Sequence, residues 1–306
     1  MKKFIYTVFA AAVALTALSS CSGDKLESQS IITMDEMQPN EFDKWLEANY
    51  VNPYNILFKY RYEMNESDYS YYTIPADMDC SIMLAHLVKY LCIDSYDEVA
   101  GTDFTRRYFP KMFFLIGEWE YKNNGTYILG TAEGGKKILL SGVNYLPYVL
   151  SGTWGSYSND PEAGLNHYYI KTIHHEFTHI LNQTKDFPAD FTQISGSSYV
   201  TDSWSTSEYT SGYLQRGFIS SYAQHSDRED FAEMMSLYVT NSVEKWNNWM
   251  TEAGTAASLI QAKLDLVKSY MLTTFNIKLD DLRDAVLRRQ SEVMSGVVDI
   301  TSLDIN

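Results

Sequence analysis

The sequence predicts an α+β fold in two lobes. A β-rich N-terminal lobe and a helical C-terminal lobe flank one polar-faced helix, which forms the floor of a cleft. Three observations carry this reading. Residues 112–116, 126–129 and 137–140 are short runs suited to strands, with turn residues between them. In 169–184, Ile170, Ile173, Phe177, Ile180 and Leu181 recur at three- and four-residue steps, as on an amphipathic helix. Beyond residue 228 the helical period repeats over 229–240, 243–250, 256–273 and 279–290.

The chain starts with a targeting segment, 1–20, which is set apart from the fold. Lys2 and Lys3 precede an apolar, small-residue run over 4–18, too short to be read as a membrane span. Leu18-Ser19-Ser20-Cys21 resembles a bacterial lipobox, so Cys21 is the expected lipidation site. Acidic Asp24 and Glu27 resemble the signal that sends some lipoproteins to the cell surface. The expected location is therefore the cell envelope, as a surface-exposed outer-membrane lipoprotein held to the membrane by its N-terminal lipid. Residues 21–40 read as a polar tether, and 41–306 as the folded domain.

That domain has ample material for a core. The chain is 45% hydrophobic and 14% aromatic over 306 residues. Its net charge of −15 would repel phosphates and excludes a nucleic-acid partner. Residues 41–50 form a short helix with Phe42, Trp45 and Leu46 on one side, ended by Asn52-Pro53. Residues 57–64 alternate as a half-buried strand. Residues 81–91 are helical, which would put Cys80 and Cys92 about 18 Å apart along one rod, unbridged and buried. From 104 to 144 the pattern reads as β-structure, turning at Asn123-Asn124-Gly125. The link over 130–135 has no G-K-[ST] and no helix after it, so it is a hairpin connection rather than a phosphate loop. Residues 185–221 are long, without clear periodicity, and of a kind more often lid-like than inert.

The chemistry centres on His175-Glu176-Phe177-Thr178-His179. Histidines four apart stack on one helix face, so both imidazoles reach a single metal ion. They lie on the far side of the helix from Phe177 and face the cleft. The intervening Glu176 is placed to deprotonate a metal-activated water, the mechanism of the H-E-x-x-H pattern with zinc. A third histidine six residues beyond His179 is excluded, because Lys185 stands there. The remaining source is a carboxylate of a later helix. Glu229 and Glu233 lie one turn apart opposite Phe231 and Met235. Glu229 is assigned to the metal and Glu233 to the N–H of a ligating histidine, with Asp230 and Glu233 as fallback ligands. A donor for the developing oxyanion is sought in Tyr222, with His225 second. His174 and His86 are expected to be structural.

These pieces, with Tyr222-Ala223 seven residues before Glu229, resemble the gluzincin metallopeptidases, with a spacing similar to that of the anthrax lethal factor protease domain. Tyr72-Thr73-Ile74-Pro75-Ala76-Asp77, the run over 130–138 and His174-His175-Glu176-Phe177 resemble the substrate import-associated zinc metallohydrolase lipoproteins. The resemblance spans most of the mature chain. It implies a zincin-like fold, Zn2+ as cofactor, and peptide-bond hydrolysis on a peptide or glycoprotein substrate. It also implies an import context, with a TonB-dependent receptor and its surface binding lipoprotein as partners. An extended peptide would lie along the edge of the strand at 137–140. The alternative is a surface binding lipoprotein whose zinc is structural or vestigial. In that case Trp154, Tyr157, Trp204, Tyr209 and Tyr213 would form an aromatic platform for a glycan or peptide.

Overall fold

The computed structural model describes residues 38–123 and 125–305. The targeting segment, Cys21 and most of the tether lie outside the described residues, as does Asn124 of the expected turn. The described residues from Asn40 onward make one compact unit, which its contacts do not divide into lobes.

The N-terminal half is α+β but not β-rich. Its first helix, α1 (41–54), runs through the expected stop at Asn52-Pro53. Its middle, Glu47–Val51, widens into a π-helical turn. The helix ends where Asn55 turns left-handed, at φ 54°. Strand β1 is only Leu57–Lys59. Helix α2 (78–100) outruns the expected 81–91, and the short α3 (Thr102–Tyr108) occupies the start of the segment read as β. There Phe104 and Tyr108, one turn apart, stack at 5.1 Å. This i,i+4 pair is the helical signal that the aromatic, β-like composition hid. Cys80 and Cys92 are free and buried on α2.

Four strands form the main sheet, in the order β1, β2 (Met112–Leu115), β6 (Lys137–Leu140), β5 (Gly130–Glu133). The first three are parallel, and β5 closes the row antiparallel to β6. Strands β3 (Glu120–Tyr121) and β4 (Tyr127–Ile128) make a separate hairpin. Two expectations change here. Residues 130–133 are strand, and only Gly134 and Gly135, at φ 57° and 68°, make the turn back to β6. With partners on both sides, β6 has no free edge, and the open edge belongs to β5. Gly130 is required there: a Cβ would lie 2.8 Å from Leu139 O and 2.9 Å from Thr172 Cγ2, because strand and following helix meet backbone to side chain.

After the small helix α4 (Leu146–Leu150) comes the long α5 (161–184), in which a π-helical turn, Asn166–Ile170, leads into Lys171–Thr184. Phe177 is its anchor, with ring centroids 4.7 Å from Phe109, 5.0 Å from Tyr96 and 6.1 Å from Phe104. Residues 185–226 hold one short helix, α6 (Ala189–Ser195), and single 3-10 turns. The rest is helical: α7 (Asp227–Thr240), α8 (Val243–Ala253), α9 (Ala257–Phe275) and α10 (Leu279–Met294). Ser226 caps α7, accepting from the Glu229 N–H at 3.3 Å. Helix α7 packs along α5, which sets the two functional helices side by side.

Glu120 on β3 is 2% exposed, and its Oε1 has no hydrogen-bond partner. Burial, with Asp68 and Glu133 nearby, pushes its carboxyl up to about 7. Folded chains keep this proton up to about pH 7, whereas unfolded chains lose it near pH 4.3. The acid is thus carried without penalty below about pH 4, and the fold loses stability as pH rises towards and through 7. Glu120→Gln should therefore gain on the parent protein by about 2–3 kcal/mol between pH 5 and pH 8. Thermal unfolding of both at the two pH values checks this, and a gap that does not change with pH would refute it.

Candidate metal centre

Two adjacent helices bring the candidate donors together. His175 and His179, one turn apart on α5, have Nε2 atoms 3.1 Å apart. Glu229, in the first turn of α7, puts Oε2 2.9 Å from His175 Nε2 and 3.2 Å from His179 Nε2. One ligand atom from each residue lies within 4.8 Å of the others, and this is the only group among the described residues arranged to hold a metal ion.

The other nitrogen of His175 explains why these atoms converge. His175 Nδ1 faces Glu233 Oε1 at 2.8 Å. A carboxylate only accepts, so the ring proton belongs on Nδ1 and Nε2 carries a lone pair. That lone pair points at a second imidazole nitrogen and a carboxylate oxygen. With His179 in the tautomer that leaves its Nε2 bare, three lone pairs converge on one point, and a cation between them satisfies all three. The residues therefore fit a zinc site with an open position. Without a metal, a second proton does the same work: burial opposes charge on His175, but Glu229 and Glu233 outweigh it and hold the ring up to about 9.

Glu233 is fixed in turn. Lys171, one turn before His175 on the same face, pairs with its carboxylate, and Ser220 Oγ donates to Oε2 at 2.7 Å. Burial opposes its ionisation, yet Lys171 and His175 keep it below the usual carboxylate range. The same balance holds Glu229 low: burial opposes its charge, and the two imidazoles beside it outweigh that. Glu176 lines the cleft beside the histidines, and burial raises its carboxyl. Tyr222 lies over His175, with centroids 5.9 Å apart, and is braced by Trp204 at 4.9 Å. Burial and the surrounding carboxylates raise its hydroxyl pKa, so it keeps its proton.

Other candidates fall away from the donors. Asp230 is fully buried on the other side of α7, paired with Lys263 Nζ at 2.5 Å and accepting from Tyr199 Oη at 3.0 Å. It is therefore no substitute ligand. Burial raises its carboxyl to about 6 despite Lys263. His225 turns towards Asp202, 3.5 Å away. His174 is buried against Tyr96 Oη at 3.1 Å, and burial lowers its ring to about 3. His86 hydrogen-bonds the Ser302 carbonyl oxygen at 2.8 Å. Of the five aromatics proposed as a platform, Tyr157, Trp204 and Tyr213 line the cleft. Trp154 stacks on Tyr145 at 4.2 Å, and Tyr209 lies against the Arg216 guanidinium.

Sequence reasoning missed Lys171, Ser220 and Lys263. Lys171 was readable, being four residues before His175 on one helix face. The other two reach their carboxylates across the fold, and no local spacing announces them.

Residues 35–280 match the family model described as "Putative zinc-binding metallo-peptidase". This chain belongs to that family. The chain is also 40% identical to a solved structure described as a "putative zinc-binding metallo-peptidase" from Bacteroides caccae. The alignment covers 90% of this chain and 100% of that one, with a TM-score of 0.72. Among curated proteins, no match is found. Membership makes zinc the metal of this metallo-peptidase and fits the paired imidazoles and carboxylate described above.

Proposed function

We propose that this zinc metallo-peptidase is of the gluzincin type and hydrolyses peptide bonds, with His175, His179 and Glu229 as zinc ligands. The observation that carries the reading is the convergence of His175 Nε2, His179 Nε2 and Glu229 Oε2 while Glu233 occupies His175 Nδ1. Zinc held there would supply Lewis acidity and lower the pKa of water. Glu176 takes a proton from the attacking water and returns it to the leaving amine. Tyr222, protonated and beside His175, donates to the oxyanion as it develops. Glu233, clamped by Lys171 and Ser220, keeps the His175 ring in one tautomer and one orientation. The open edge of β5 runs along the cleft, where Gly130, Thr131 and Ala132 face it, and an extended peptide can add to that edge as a further strand.

The cellular setting belongs to the same proposal. Cleavage before Cys21 and lipidation of its thiol would leave the enzyme on the outer surface of a bacterial outer membrane. There it would process peptides or glycoproteins for a TonB-dependent receptor and its surface binding lipoprotein. The support for this is the N-terminal sequence pattern and the family resemblance.

A peptide-library digest before and after chelation tests the enzymatic reading. Cleavage should vanish with the chelator and return with stoichiometric zinc. If fully zinc-loaded protein cleaves nothing in the library, the peptidase reading ends.

A further inference from the structure

The cleft, of about 1310 Å³, is electrically lopsided along α5. Beyond His179 its lining carries Asp186, Asp227 and Arg228. In the other direction it carries Lys171, His167 and, from the first turn of α8, Lys245. The one acid in the lining of this second arm is Glu233, which Lys171 already neutralises; Asp160 and Glu252 stand outside the lining, near Tyr157 and Tyr213. Lys245 is different. Among the described residues it has no ion-pair partner, and its ammonium stands 5.6 Å from the Trp249 ring centroid. An uncompensated cation facing into the cleft is notable in a chain whose net charge is −15.

The walls of this arm are built. Tyr157 packs on His167 with centroids 4.7 Å apart, and Trp249 and Tyr213 complete an aromatic lining. Burial, then the charge of Lys171, lowers the His167 ring to about 4, so it adds no charge of its own at neutral pH. His167, Lys171 and His175, four residues apart in turn along α5, all line the cleft. Helical rise puts Lys171 about 6 Å and His167 about 12 Å from His175 along the axis. An extended peptide covers that distance in about two to four residues.

The geometry points to a carboxylate subsite in this arm: Lys245, beside Trp249 on the lining that also carries Tyr157 and His167, takes a carboxylate that the substrate carries two to four residues from the scissile bond. The carboxylate comes from a Glu or Asp side chain or from a free C-terminus. Lys245 is exposed at the rim of this arm, so its gain from a carboxylate is that of a solvent-facing pair, aided by the absence of any competing acid on it. The inference rests on the peptidase reading for the identity of the substrate, but not for the binding it predicts.

Binding to zinc-loaded Glu176→Ala protein tests it without turnover. The probes are three sets of acetylated Ala/Gly octapeptides. One set is amidated with a single Glu, one is amidated with Gln in its place, and one lacks acids but ends in a free carboxylate. At least one carboxylate-bearing set should bind about threefold or more tighter than the Gln set, and which set does so tells side chain from C-terminus. Adding Lys245→Met should abolish the preference while leaving Gln-set affinity unchanged, and Lys245→Arg should preserve it. Equal affinity for all three sets, or a preference that survives Lys245→Met, overturns the inference. If the preference is found but wild-type protein cleaves no peptide, the subsite stands and the peptidase reading fails. Cleavage without any preference has the reverse meaning.

Discussion

Replacing Glu176 by alanine is expected to lower kcat/KM by roughly 10²–10⁴-fold, the range for loss of a positioned general base, while zinc content stays at one per chain. The separation of effects follows from the geometry. The three converging donors are His175, His179 and Glu229, and Glu176 is not among them. It lines the cleft beside them, and burial raises its carboxyl, bringing its basicity closer to the working pH. Removing it leaves the His175–Glu233 contact and the Lys171 clamp untouched. Metal analysis and peptide turnover on the same sample check both halves. Undiminished turnover in Glu176→Ala would remove the base from the mechanism.

Glu229→Ala should act on the metal itself. Loss of a supporting carboxylate typically costs 10–100-fold in metal affinity, and loss of a ligand should exceed that. The expectation is a drop of more than about 100-fold in zinc affinity, with activity falling to background at stoichiometric zinc. No neighbour can step in: Asp230 is committed to Lys263 and Tyr199 inside the fold, and Glu233 to Lys171, Ser220 and His175. Competition with a chromogenic chelator measures the change. Affinity within a few-fold of the parent, or a crystal of the variant with another carboxylate on zinc, would reassign the third ligand.

The sequence announced the centre more clearly than the frame around it. His175 and His179 are local, four residues apart on one helix, and so are Glu229 and Glu233. A period of 3.6 therefore determines which side chains share a face, and the structure places all four at one point. What sequence alone could not supply was the distance between the two helices, set by the packing of α7 along α5. The N-terminal half was harder to read. Aromatic residues favour strands by composition, and the stretch from 104 to 144 is rich in them, yet Phe104 and Tyr108 turn as a helix against Phe177 and Phe275. The π-helical turns in α1, α2 and α5 break the period on which helix boundaries are judged, and all three helices run longer than their patterns suggested. In the 130–135 run, glycine composition suggested a loop, but the close approach of Gly130 to Thr172 needs a strand without a side chain.

The buried Lys263 bears on how the enzyme meets its substrates. Its ammonium holds Asp230, one residue after Glu229, and the Gly217 carbonyl oxygen at 2.9 Å, and it sits 4.0 Å from the Phe218 ring centroid. Tyr199 ties an earlier part of the same long segment to Asp230. The stretch that sequence composition marked as lid-like is thus riveted at two places to the helix bearing Glu229. Swinging it open would strip the buried Lys263–Asp230 pair of two hydrogen-bond partners, the Gly217 carbonyl oxygen and the Tyr199 hydroxyl. Recognition on this flank is that of a rigid mould, and a new diet for the enzyme would come by exchanging side chains on its rim rather than by loosening a hinge.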